Sequence, residues 1–249
     1  MQARSAALLS AMECRIDRLL LAWLLIAGLA CAARMVAAPG PLIGVGLTAA
    51  LPYMMLVVAP LASTVLALRW FADADRQPQP SRRFAAIGRW RGVSRGEARR
   101  HPLYGASGVM VSLLVGMLLN IPIRAAEFVV AIPPIPRGAP DWLATLQVAM
   151  TLDVVIFTSL YAIAFVAALK RLPSFPRLLV AIWMADVAVQ LLIADAVAST
   201  PGLPAAVAGA LHDLLAGNVG KVLISVSLWL PYLLLSTRVN VTYRHRLPA

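Results

Sequence analysis

Six apolar stretches of this chain are long enough to cross a bilayer, and the basic residues fall in alternate gaps between them. The stretches run Leu19–Val36, Leu42–Leu68, Leu103–Val130, Trp142–Leu169, Leu178–Ala198 and Val219–Leu235. Most exceed the ~18 apolar residues at which a segment is read as a transmembrane helix. Pro39-Gly40-Pro41 separates the first two spans as a tight turn. Pro133-Pro134-Ile135-Pro136 stops the third, because consecutive prolines cannot continue a helix. Pro201 and Pro204 mark the loop before the sixth. The pattern predicts an all-α, polytopic integral membrane protein with six transmembrane helices.

The segment Asp73–Arg100 is the one substantial polar stretch. It divides the chain into an N-terminal helix pair (residues 1–72), a basic loop (73–103) and a four-helix transmembrane unit (104–249). Of the 22 Lys and Arg, all but Arg34, Arg124, Arg137 and Lys221 fall on one side when the chain is threaded through six spans. That bias predicts cytoplasmic termini, since cytoplasmic loops carry the excess of Lys and Arg. The net charge of +11 would suggest a nucleic-acid partner in a soluble protein. Here topology accounts for it, and no nucleic-acid partner is expected. Leu19–Ala30, preceded by Arg15 and Arg18, also fits a cleaved signal segment. Cleavage would leave the other five spans threaded as before.

Composition agrees with a lipid environment. The chain is 61% hydrophobic and only 13% charged, about half the charged share of a soluble domain. Cys14 and Cys31, if carried on one helix, are too far apart to pair. The histidines and cysteines are scattered without metal-ligand spacing, and no phosphate-binding glycine loop occurs. No cofactor is expected.

Candidate chemistry lies in the charges inside the spans, because burying them is costly. Asp153 falls near the middle of the fourth span, and Asp186 lies in the fifth with Gln190 one turn further on the same face. These three form a candidate intramembrane polar site. Arg124 and Glu127, three apart in the third span, form a candidate ion pair. Lys221 and Asp195 fall near span ends and read as snorkelling groups. In the basic loop, Phe84, Ile87 and Trp90 recur at helical spacing among arginines, which suits a helix lying on anionic lipid headgroups. Gly105-Ala106-Ser107-Gly108 looks like the nucleophile motif of six-helix rhomboid proteases, but none of the three histidines lies within a span to serve as base.

The end of the chain carries a signature: Trp229-Leu230-Pro231-Tyr232, then Ser236-Thr237-Arg238-Val239, then Thr242-Tyr243. A second run, Leu169-Lys170-Arg171 followed by Phe175-Pro176-Arg177-Leu178, lies between the fourth and fifth spans. Together they resemble the YdgK-like family of bacterial inner-membrane proteins, four-helix units that close on similar residues. Asp153 falls where that family carries an acidic residue, there Glu. The resemblance covers Tyr104 to Arg246 and leaves out Met1–His101, so the first two spans look like an addition. The loop after the third span also looks shorter than in typical members. The resemblance implies a bacterial inner-membrane location and brings no activity with it. Physically, Pro231 cannot donate to the carbonyl of Ser227, which predicts a kink in the last span.

The leading reading is a non-enzymatic membrane protein that binds or moves a small solute. The alternative is a non-catalytic scaffold that contacts a membrane-protein partner or a second copy through small-residue faces such as Ala162, Ala164, Ala167 and Ala168. An intramembrane enzyme ranks third. Asp153 and Asp186 discriminate: a solute path needs them at a shared polar cavity, whereas a scaffold leaves them hydrogen-bonded in tight contacts.

Overall fold

The computed structural model describes residues 2–37, 47–80, 88–135 and 140–249. The chain is an all-α, multi-pass membrane protein. Six of its helices are long and apolar enough to cross a bilayer. In chain order the described elements are α1 (Gln2–Cys14), α2 (Ile16–Val36), α3 (Leu47–Trp70), a short 3-10 turn (Ala74–Arg76), β1 (Trp90–Gly92), α4 (Arg95–Arg100), α5 (Val109–Ala131), α6 (Asp141–Leu169), α7 (Phe175–Ala198), α8 (Ala205–Leu235), α9 (Thr237–Arg244) and β2 (Arg246–Pro248). The spans are α2, α3, α5, α6, α7 and α8.

Burial ranks the spans. In α6, 67% of the most apolar window is buried inside the protein, against 11% in α2 and 17% in α8. So α6 is the axis of the bundle, packed by α3, α5 and α7, while α2 and α8 turn most of their surface to lipid. Apolarity alone cannot make this distinction, because lipid is as good a solvent for Leu as a protein core. Small residues make the close packing on α6. Ala162, Ala164, Ala167 and Ala168 are all buried within the chain's own core. The expectation that they form an external scaffold face is therefore corrected: neighbouring helices already occupy them.

The N-terminal pair shares its core with the rest. One apolar cluster joins Leu9, Ala67 and Ala74 to α5, α6 and α7, and another joins Ala27, Cys31, Tyr53 and Leu56 to Phe128, Leu146 and Met150. Trp23 of α2 donates its indole N–H to the Val57 carbonyl of α3 at 3.0 Å. The Tyr53 hydroxyl donates to the Ile132 carbonyl at 2.9 Å.

Two spans begin elsewhere than hydropathy suggests. The third starts at Val109, not Leu103, because Gly105 and Gly108 take positive φ angles of 107° and 71° that end any incoming helix. The sixth starts at Ala205, not Val219, because His212, Asp213 and Asn218 lower the apparent hydropathy of a segment that is still helical. That helix carries Pro231 and continues to Leu235.

The basic segment differs most from expectation. Phe84 and Ile87 lie outside the described residues. Trp90 is not helical: it opens β1, which pairs antiparallel with β2 in the register Trp90↔Pro248, Arg91↔Leu247 and Gly92↔Arg246. The N–H of Val93 continues this contact to the His245 carbonyl at 3.0 Å. After β1, Ser94 accepts from the Glu97 N–H and caps α4. The loop between the second and third spans and the C-terminus thus meet at one end of the bundle. An even number of spans requires the same of the two termini.

Candidate functional site

Each of α5, α6 and α7 sends one charge into the middle of the bundle. Arg124 comes from α5, Asp153 from α6 and Asp186 from α7. All three are buried, with Asp186 wholly so. Arg124 Nη2 donates to both Asp186 oxygens at 2.7 and 2.8 Å, and Nη1 donates to both Asp153 oxygens at 3.3 and 3.1 Å. The guanidinium also lies 4.9 Å from the centre of the Phe157 ring, within cation–π range. Each carboxylate has one further donor: the Tyr161 hydroxyl donates to Asp186 Oδ2 at 3.2 Å and Gln190 Nε2 donates to Asp153 Oδ1 at 2.7 Å.

From this triad a polar chain leads outward. Asn218 of α8 donates to Gln190 Oε1 at 3.4 Å, and Lys221 Nζ donates to Asn218 Oδ1 at 3.2 Å. Lys221 then pairs with Glu127 at a partly exposed position on the bundle. Four helices are tied together by side chains whose unpaired burial in lipid would be costly.

The structure thus brings Asp153, Asp186 and Gln190 together, as their positions suggested, but corrects the pairing around them. Arg124 does not pair with Glu127. Side chains three apart on a helix are neighbours, but they do not point in one direction. Arg124 faces the carboxylates of α6 and α7, where a lone cation would be unpaired, and Glu127 is turned towards α8, where Lys221 meets it. Asp153 and Asp186 sit in tight mutual contacts of the kind that hold helices together. Sequence reasoning missed Tyr161 and Asn218, both buried polar residues one or two turns from a charge. A search of the spans for hydroxyl and amide side chains would have found them.

At the end that carries the termini, the C-terminal signature forms a clasp. Arg238 Nη1 donates to Ser107 Oγ at 2.7 Å and to the carbonyls of Leu103 and Gly105 at 3.3 and 3.4 Å. The Gly105 N–H donates to the Thr242 hydroxyl at 3.0 Å. Ser107 is therefore engaged by a guanidinium. The Tyr243 hydroxyl donates to the Ala168 carbonyl at 2.9 Å, and its ring lies 5.0 Å from that of Phe175. The two sequence runs that carry the family resemblance thus touch each other. Val239 is buried beside them, whereas Trp229 and Tyr232 are half-buried and stack edge to face at 6.0 Å. Pro231 is exposed, and the chain turns at Ser236, whose extended backbone separates α8 from α9. Arg244 is buried against the Leu233 carbonyl at 2.8 Å. Burial, reinforced by nearby Arg246, pushes its guanidinium down to about 10, so it stays cationic at neutral pH.

A separate feature lies among the other spans. A groove of about 520 Å³ runs between α2 and α5, with α3 and α6 as its floor. Leu19, Trp23, Ala27, Ala30 and Cys31 line it from α2, Leu56, Pro60 and Thr64 from α3, Leu118, Pro122, Ala125 and Ala126 from α5, and Ala162 and Phe165 from α6. The space has a local cause. Alanines line much of both walls and Pro60 and Pro122 lie along the groove, so few long side chains reach into the space. Rim residues Ile26, Leu119 and Val130 are 69%, 51% and 79% exposed, so the groove opens sideways to lipid.

Among the described residues, no group of three or more His, Cys, Asp or Glu could hold a metal ion. Compared with known proteins, the chain matches no family model, no curated protein and no solved structure.

Proposed function

We propose that this membrane protein is a non-enzymatic binder of a small apolar solute, which enters the groove between α2 and α5 from the lipid. The groove itself carries this reading. Its volume of about 520 Å³ falls in the ~300–1,000 Å³ range of ligand pockets, and such pockets are mostly apolar and form between helices. The polar-path form of the solute reading is set aside, because Asp153 and Asp186 are buried against Arg124, Gln190 and Tyr161 and do not line the groove. The charges act as a latch that holds α5, α6 and α7 while the solute site lies beside them.

The bacterial inner membrane is the proposed location, and the C-terminal signature Trp229 to Tyr243 with its Lys170–Leu178 counterpart supports membership of the YdgK-like family. The distribution of 22 Lys and Arg supports cytoplasmic termini. Arg89, Arg91, Arg99 and Arg100, all exposed at that end, support contact with anionic headgroups.

The test fills the groove. Ala30 and Ala126 line it from opposite walls and are exposed, so Phe at both positions takes up the space without disturbing the core. The purified full-length protein should enhance the fluorescence of an uncharged apolar dye saturably, and the Ala30→Phe/Ala126→Phe variant should lose the saturable part. Equal saturable binding by both proteins would remove the groove as the site.

A further inference from the structure

Four basic residues fall outside the arginine-rich gaps of the sequence: Arg34, Arg124, Arg137 and Lys221. Arg124 has its two aspartates, and Lys221 has Glu127. Arg137 lies outside the described residues. Arg34 makes no salt bridge among the described residues, and its Nε is buried without a hydrogen-bond partner. A guanidinium whose Nε is buried without an acceptor leaves a costly unsatisfied donor.

Its position gives the cause. Ala27, Ala30 and Cys31 line the groove, and Arg34 follows Ala30 and Cys31 by four and three residues. It therefore continues the groove-facing stripe by one turn. Cys31 is the last α2 residue that lines the groove, and Arg34 lies beyond it, near the end of α2 at Val36. The arginine thus stands at one mouth of an apolar slot. The slot extends along α2 from Ile16 to Cys31, roughly 22 Å at the helical rise. That exceeds half of the ~30 Å hydrocarbon core, so it can take the tail of a lipid from the adjacent leaflet. At the other mouth Arg15 and Arg18 are exposed, and Glu13 and Asp17 alternate with them along the chain. The half-buried cation is at the Arg34 end.

We propose that the groove binds an anionic amphiphile, its single apolar tail lying between α2 and α5 and its acidic head held by Arg34. This rests on the reading of the groove as an apolar solute site and names the class of solute. A sulfonate, carboxylate or phosphate head supplies what the guanidinium lacks, a charge-assisted acceptor. An uncharged tail of the same length would gain the apolar contacts alone.

Two photoreactive probes with the same long alkyl chain separate the parts, one ending in a sulfonate and one in an alcohol. Each carries a diazirine mid-chain and is titrated against the full-length protein in nanodiscs of zwitterionic lipid. Labelled residues are read by mass spectrometry. Both probes should label groove residues such as Trp23 and Val129, the sulfonate at a concentration about tenfold lower, the size expected of one charged hydrogen bond. Arg34→Gln should remove that advantage and leave labelling by the alcohol unchanged, and Arg34→Lys should keep part of it. If the probes label alike in the wild type, or Arg34→Gln leaves the sulfonate unchanged, the anionic head is refuted while the apolar site stands. If neither probe labels the groove, both readings fall.

Discussion

Removing the positive member of the triad should be far more damaging than removing either negative one. With all three groups ionised, Arg124, Asp153 and Asp186 sum to −1. Asp153→Asn brings the sum to zero and keeps a shape that still accepts from Arg124 and Gln190. Its cost should be at most about 1 kcal/mol, the net worth of the weakened hydrogen bonds. Asp186→Asn should cost somewhat more, because it weakens the shorter contacts at 2.7 and 2.8 Å and the bond from Tyr161. Arg124→Gln instead leaves two carboxylates facing each other with no cation. Breaking a buried pair by deleting one partner costs about 3–5 kcal/mol, and here the deletion strands two charges. A triple replacement, Arg124→Met/Asp153→Leu/Asp186→Leu, should recover much of the loss, since well-packed apolar groups can substitute for buried ions. Denaturant titration in detergent micelles, followed by helix content, measures the series. Similar costs for Arg124→Gln and Asp153→Asn would refute the charge arithmetic. So would a triple variant no more stable than Arg124→Gln alone.

Threading can be read with a membrane-impermeant maleimide on intact cells: Asp141→Cys and Ala206→Cys should label, whereas exposed Cys14 and an Arg91→Cys variant should label only after permeabilisation. Labelling of Cys14 from outside would reverse the orientation. Gly108 has a φ of 71° and a ψ of −139°, and an added methyl would lie 3.5 Å from Arg238 Nε. Gly108→Ala should therefore cost about 1–3 kcal/mol from backbone strain, read as a lower midpoint in the same titration. A peptide covering residues 81–100 should bind anionic vesicles and weaken as salt rises. Equal affinity for neutral vesicles would remove the headgroup attraction.

Much of the fold was legible because lipid imposes a simple rule. Any segment that spans must be a helix of sufficient length, so apolar run length alone yields six spans. The meeting of Asp153 with Gln190 and Asp186 was legible for a related reason: polar groups buried in lipid must find one another. Partner choice was not. Arg124 and Glu127 are close along α5, and local spacing favours their pairing, but tertiary packing offers Arg124 two carboxylates and Glu127 a lysine. Hydropathy carries no information on which helix neighbours which. Nor could it find β1 and β2, three residues each and about 150 positions apart, whose pairing depends on α9 delivering the C-terminus to the basic segment. The groove was invisible for the opposite reason. Its alanines and lipid-facing leucines read like any other part of a span, and only the standing-off of α2 turns them into a wall.

Where the bundle can open follows from where its polar contacts lie. The triad ties α5, α6 and α7, and the chain from Gln190 through Asn218 to Lys221 adds α8. The clasp of Arg238, Thr242 and Tyr243 fixes the end that holds the termini. Against these, α2 is joined to α3 by the Trp23 indole at 3.0 Å, and otherwise largely by apolar contacts that lipid tails can replace. Moving α2 away from α5 therefore sacrifices little that lipid does not restore, whereas separating α5 from α6 would strand Arg124. On the proposed function, a solute enters from the bilayer along the α2–α5 seam. That is the seam in which the groove lies and at whose end Arg34 stands.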